Sequence, residues 1–247
     1  GSTGCSLLSN NSNQKDISSE DKNLKDNESD TDTEYQSFEA DVIESGDRLL
    51  VYPDEDSMEY TSSDKISVGL SQIQDIPELK PGDRIKINYG GGIAESYPAQ
   101  ISAGKIELIG HNYVIDGFFA LIDDIYNEDT GLNSNITMIA IDTSNLDMLS
   151  KAETEILLAM VRNEYNLEVI QGTYEELAEQ GLIDKDNLYF KDGVLIEFSN
   201  VEINNSRKKI TCSIQKWRSG LGAIGWDAKA KLDGDIWNVS RDKMWIS

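Results

Sequence analysis

The residues of this chain that could do chemistry are few in kind, and their spacing limits what each can reach. His111 is the only histidine, so any Ser-His-Asp or Cys-His relay passes through it. No Gly-x-Ser-x-Gly turn accompanies it, and Cys212 falls in an alternating segment that reads as a strand, where a thiol packs as a small core side chain. No catalytic residue is nominated on these grounds. A glycosidase needs a pair of carboxylates, but with 45 acidic side chains some pair is always close, and the count selects none. Asp184-Lys185-Asp186 and Asn127-Glu128-Asp129 carry oxygen ligands without the glycine and glutamate of an EF-hand loop, so they read as solvated turns and no metal is expected. Gly220-Leu221-Gly222-Ala223-Ile224-Gly225 spells the dinucleotide fingerprint, yet residues 226–232 alternate like a strand where that site needs a helix. A glycine-rich connection between strands is expected there, and no cofactor.

One asymmetry points to binding. Residues 207–247 hold nine basic and four acidic side chains, a local net of +5 in a chain of net −23. Trp217, Trp226, Trp237 and Trp245 all fall in the same stretch. On a strand, Lys229 and Lys231 share one face while Ala228, Ala230 and Leu232 share the other. The tryptophans then either fill a core beneath solvated lysines, or Trp217 and Arg218, with Lys216, Lys229 and Lys231, form a ligand-binding face. The second use implies an anionic cell-wall polymer, a sugar or a protein as ligand. The overall charge opposes nucleic acid and a bare anionic membrane.

The elements that must carry these residues follow from periodicity. Between residues 38 and 110, short Val-, Ile- and Tyr-rich runs alternate with turn signals, giving strands near 42–52, 65–70, 84–89, 99–103 and 105–109. Five short strands in so short a stretch imply a small closed barrel of the OB type. Pro81-Gly82-Asp83 turns the chain into the fourth run. Past Gly110 the period changes. A helix is expected over 112–127, a strand over 136–141, and helices opened by Ser150 with Glu153 and by Thr173 with Glu176, both capping-box pairs. Short strands at 167–170, 188–190 and 194–198 follow, then 209–217, 225–232, 236–239 and 244–246 as an antiparallel meander with Asp-Gly turns. The expected fold is therefore a small all-β OB-like barrel at 38–110 and an α+β domain with helices and an antiparallel sheet at 111–247. A winged helix would suit the helix pair and hairpin, but residues 111–206 carry four basic and 19 acidic side chains, which would repel DNA.

Residues 1–37 hold eight acidic and three basic side chains and few apolar ones, too little to offset ordering entropy, so a disordered tether is expected. Thr3-Gly4-Cys5-Ser6 resembles the cut site of a bacterial lipoprotein. That likeness implies a signal peptide removed before Cys5, a lipid attached to it, and a membrane partner reached through a polar stalk. Lys80-Pro81-Gly82-Asp83-Arg84-Ile85-Lys86-Ile87 and Glu95-Ser96-Tyr97-Pro98-Ala99-Gln100 are similar to a family of uncharacterised Gram-positive lipoprotein domains over residues 38–110. Lys216-Trp217-Arg218-Ser219-Gly220-Leu221-Gly222-Ala223 and the ending Met244-Trp245-Ile246-Ser247 resemble a second uncharacterised secreted family over 112–247. Both resemblances imply a place on the outer face of the cytoplasmic membrane rather than a reaction. The expected role is an extracytoplasmic binding or interaction module, the alternative a cell-envelope hydrolase using carboxylates. In the Tyr97-Pro98 turn the ring is expected to pack down.

Overall fold

The computed structural model describes residues 35–247; Cys5 and its neighbours up to residue 34 lie outside the described residues. Strands β1 (Tyr35–Glu44), β2 (Arg48–Pro53), β3 (Ile66–Gly69), β4 (Asp83–Gly90) and β5 (Ala99–His111) pair in the order β1-β2-β3-β5-β4 and close β4 onto β1. β3 runs parallel to β5 and the other pairs are antiparallel, which is an OB-like barrel. Alternation builds it: β4 sends Ile85, Ile87 and Tyr89 inward and Arg84, Lys86 and Asn88 toward solvent. A short helix, α1 (Met58–Ser62), contributes buried Glu59, which accepts a hydrogen bond from the Tyr89 hydroxyl at 2.9 Å.

The barrel departs from the sequence expectation in four places. The run near 42–52 is two strands, β1 and β2, paired antiparallel across a turn at 45–47. β1 includes Tyr35 to Ser37, inside the expected tether, because its ladder with β4 runs on to the Tyr35–Gly90 pair; the Tyr35 ring lies over Gly104, where a β-carbon would fall 2.9 Å from Cε1. The runs near 99–103 and 105–109 are one strand, since Gly104 continues the ladder instead of ending it. Tyr97 is 71% exposed, so its ring does not pack down, although Ser96 Oγ does close the turn by donating to the Pro98 carbonyl at 2.7 Å.

Beyond His111 the chain forms α2 (Tyr113–Tyr126), β6 (Met138–Asp142), α3 (Lys151–Tyr165), β7 (Glu168–Gln171), α4 (Tyr174–Glu179) and then β8 (Gly193–Ile203), β9 (Lys209–Ser219), β10 (Gly222–Asp233) and β11 (Ile236–Ile246). Both capping boxes form as their spacing demands, at Ser150 with Glu153 and Thr173 with Glu176. The sheet order is β11-β10-β9-β8-β6-β7. β8 to β11 are the expected antiparallel meander, and β6 and β7 extend it, β6 running parallel to both β7 and β8. α3 is the crossover that makes β6 and β7 parallel. Residues 188–190 are not a strand; Tyr189 makes only single bridges to Asp184 and Ser219.

α2 and α3 cover one face of the sheet, hereafter the inner face, and their apolar stripe packs with Ile139, Val194, Phe198, Ile214 and Trp226. Ile43 and Tyr52 of the barrel join the same core. On the outer face, α4 and the connection to β8 cover only a patch around Ala140, Leu195 and Phe190. The rest of the outer face carries polar side chains and no helix. No helix among the described residues is long and apolar enough to cross a membrane.

Candidate functional site

Strand alternation sorts the nominated residues onto two faces. Lys216 and Arg218 point inward with Ile214 and Cys212; Trp217, Lys229 and Lys231 point outward. Lys216 is fully buried, its Nζ donating to the carbonyls of Tyr126 (2.9 Å), Glu128 (2.5 Å) and Asp129 (3.3 Å) and to Asn133 Oδ1 (3.1 Å). It therefore closes the turn that follows α2. Arg218 ties down the same turn, donating to the Leu132 and Ser134 carbonyls at 2.7 Å each, and reaches the Lys191 carbonyl at 3.1 Å. Trp217 packs edge-on against Tyr174 of α4 with ring centroids 5.1 Å apart. Trp226 is core, stacked by Arg241 at 4.2 Å, and the Trp237 indole N–H donates to the Tyr113 carbonyl at 2.7 Å. Lys229 and Lys231 are exposed on the open outer face.

That face holds three adjoining hollows. A cleft of about 610 Å³ lies at the carboxyl ends of β6 and β7, where Asp142, Thr143, Gln171 and Thr173 line it. It shares Asp142 with a hollow of about 250 Å³ formed by Asn145, Glu197, Gln215 and Trp245, which in turn shares Ser213 with a groove of about 440 Å³ along Thr211, Asp227 and Lys229. Asp142 and Glu197 are register partners across β6 and β8. Burial raises the Glu197 carboxyl above its usual range; the Gln215 amide, which donates to it, opposes the shift, and Asp142 and Glu175 add to it. Asp227 is lowered by the Ser213 hydroxyl, which donates to it at 2.7 Å, and by Lys243 at 3.2 Å.

Lys209, Lys229 and Lys231 occupy neighbouring outward positions at the far end. Lys231 faces Lys209 directly across β9 and β10, and Lys229 faces Thr211. None of the three takes part in an ion pair among the described residues. Lys209, Asp142, Glu197, Gln215 and Trp245 are not among the residues the sequence nominates. One signal was available for Asp142: a carboxylate ending the apolar run Ile139-Ala140-Ile141, at the carboxyl end of a parallel strand, where open sheets place their ligands.

His111 belongs to the frame rather than to this face. Its Nδ1 lies 2.7 Å from Asp83 Oδ1 of β4 and its Nε2 2.7 Å from Asp116 Oδ2 of α2. Cys212 is buried, and burial with nearby Asp227 pushes its thiol up to about 12, which suits packing rather than nucleophilic attack. Of the Gly220–Gly225 stretch, Gly220 and Leu221 are the turn from β9 into β10, and Gly222 to Gly225 are already strand paired with β9. No group of three or more His, Cys, Asp or Glu side chains among the described residues is placed to hold a metal ion.

Residues 7–110 match the family model described as "Protein of unknown function (DUF3221)". A crystal structure of a yobA protein from Bacillus subtilis subsp. subtilis strain 168 is 25% identical, covering 31% of this chain and 97% of that one, with a TM-score of 0.26. Among curated proteins none matches.

Proposed function

We propose that this chain is an extracytoplasmic binding module, anchored by a lipid on Cys5 and spaced from the membrane by its polar N-terminal segment, that holds an anionic wall polymer on the outer face of its sheet. The observation that carries the reading is the placement of Lys231 directly opposite Lys209, with Lys229 alongside. Like charges facing each other across two strands destabilise a sheet. In a chain of net −23, acidic neighbours were available to neutralise them. A bound polyanion relieves the repulsion, and the adjoining hollows give an extended ligand room to continue.

Two measurements test this. In cells making the full precursor, Cys5→Ala should move the protein from the membrane fraction to the soluble fraction; retention in the membrane would remove the anchor. With the isolated chain, a soluble anionic wall polymer should bind saturably. The affinity should drop with added salt, because exposed charges are screened over roughly 8 Å at physiological ionic strength. Lys229→Glu with Lys231→Glu should abolish binding, and unchanged binding would remove the lysine face. The second reading, a hydrolase, is favoured by the pairing of Asp142 with a Glu197 held above its usual range. Following the same titrations for released fragments separates it: product formation lost in Glu197→Gln would replace binding by catalysis.

A further inference from the structure

The hollow beneath Trp245 has a composition of its own. Trp245 is 42% exposed, and its ring lies against the bare backbone of Gly225: a β-carbon at that glycine would fall 2.5 Å from Trp245 Cζ2 and 2.9 Å from the Ile214 carbonyl oxygen. Gly225 thus lets the indole lie down on the sheet as a platform. Around it stand planar polar groups set by strand register, with Glu197 facing Gln215 across β8 and β9 and facing Asp142 across β6 and β8. Asp142 is 92% buried in the sense that only 8% of it meets solvent, and one of its oxygens accepts the Ser144 N–H at 2.9 Å; the other takes no protein hydrogen bond among the described residues. Asn145 gives one amide N–H to the Phe198 carbonyl at 2.8 Å, and its oxygen is an available acceptor.

We infer that this hollow is a subsite for a neutral sugar residue, one face of which lies on Trp245 while its hydroxyls donate to Asp142 and Asn145. The inference rests on the reading of the outer face as a binding surface and adds a ligand class to it. The chemistry selects that class in steps. The available protein groups are mostly acceptors, so the ligand must bring several closely spaced donors, as vicinal hydroxyls do. A peptide strand brings one N–H for each carbonyl, and its carbonyls would meet carboxylates. An anion meets the same repulsion, which keeps the anionic part of a polymer at the lysine end. A cationic peptide would need two dependable charges, yet Glu197 shares its carboxylate with Gln215, and Lys243 stands beside Trp245 on the same strand. A half-exposed aromatic ring in a concave site supplies the apolar surface that a pyranose C–H face needs. The volume, about 250 Å³, suits one sugar ring rather than a longer segment.

The test is a calorimetric titration of the whole chain with neutral hexasaccharides, chitohexaose and cellohexaose, beside the anionic wall polymer and a lysine-rich peptide. A neutral hexasaccharide should bind saturably and be indifferent to salt. Trp245→Ala should weaken it by about tenfold or more. Asp142→Asn, which keeps the acceptor for the Ser144 N–H, should weaken it as well and guards against a Trp245 variant that misfolds. No saturable binding of either hexasaccharide at millimolar concentration, with the anionic polymer still bound, overturns this subsite and spares the module. Silence from every ligand overturns both. Binding of the lysine-rich peptide that Trp245→Ala abolishes, without sugar binding, assigns the hollow to cations and overturns the inference.

Discussion

Lys216→Met will lower the stability of the folded chain at neutral pH by about 2–4 kcal/mol, the scale for removing one partner from a buried, charge-assisted network. Methionine fills similar space but leaves the Tyr126, Glu128 and Asp129 carbonyls and Asn133 Oδ1 without their common donor. The same lysine gives the effect a pH signature. Burial pulls its ammonium down to about 8 in the folded chain, with Asp129 and Glu128 opposing the shift, while the unfolded chain titrates near the ordinary lysine value of about 10.4. Between those values the unfolded chain holds the extra proton, so the contribution of this lysine to stability rises with pH across the window, by on the order of 3 kcal/mol. Cys212, whose thiol burial pushes up to about 12, acts in the opposite sense from about pH 8.5, where the unfolded thiol ionises, and Tyr89 and Tyr165, held high by burial and by hydrogen bonds to Glu59 and Asp123, join it above about pH 10. Urea melts of both proteins between about pH 7 and 10 isolate the lysine. A methionine variant as stable as its parent would show that this lysine does not hold the turn, and one whose stability follows pH as the parent's does would show that burial does not lower its ammonium.

His111→Ala will cost about 2–4 kcal/mol as well, by a different route. The ring stands between two carboxylates, with one nitrogen 2.7 Å from each. Alanine leaves Asp83, 4% exposed, and Asp116 beside an unfilled space at the junction of β4, β5 and α2. Asp83 keeps its bond from the Lys80 N–H at 2.8 Å, so the loss is partial. His111→Gln retains one amide donor and should lose visibly less than alanine. Equal losses for both variants, or a loss below about 0.5 kcal/mol for alanine, would mean that the ring serves only as filler.

Element types followed the sequence closely where one local rule governed them. Alternation in residues 84–89 and 225–232, the helical stripe from Val114 to Ile125, and two capping boxes are each decided within a few residues, and each forms. Errors came where a distant partner overrode the local signal. Gly104 looks like a break until Tyr35 lies across it, and Tyr97 looks like a packed ring until the turn leaves it in solvent. The candidate site divides the same way. Alternation alone puts Lys229 and Lys231 on one face, but whether Lys216 and Trp217 join them depends on which side the helices cover.

The sequence by itself determined the barrel-then-α+β order, the strand faces, the helix starts and the excess of positive charge after residue 206, because alternation, capping and composition are properties of short stretches of chain. Only the tertiary structure decided the parallel pairing of β6 with β7 and β8, the burial of Lys216 against the turn after α2, and the meeting of Asp142, Glu197, Gln215 and Trp245 in one hollow. Those four residues span more than one hundred positions in the chain. Their proximity comes from strand register and crossover, which are set by packing across the whole core and leave no mark on the residues themselves.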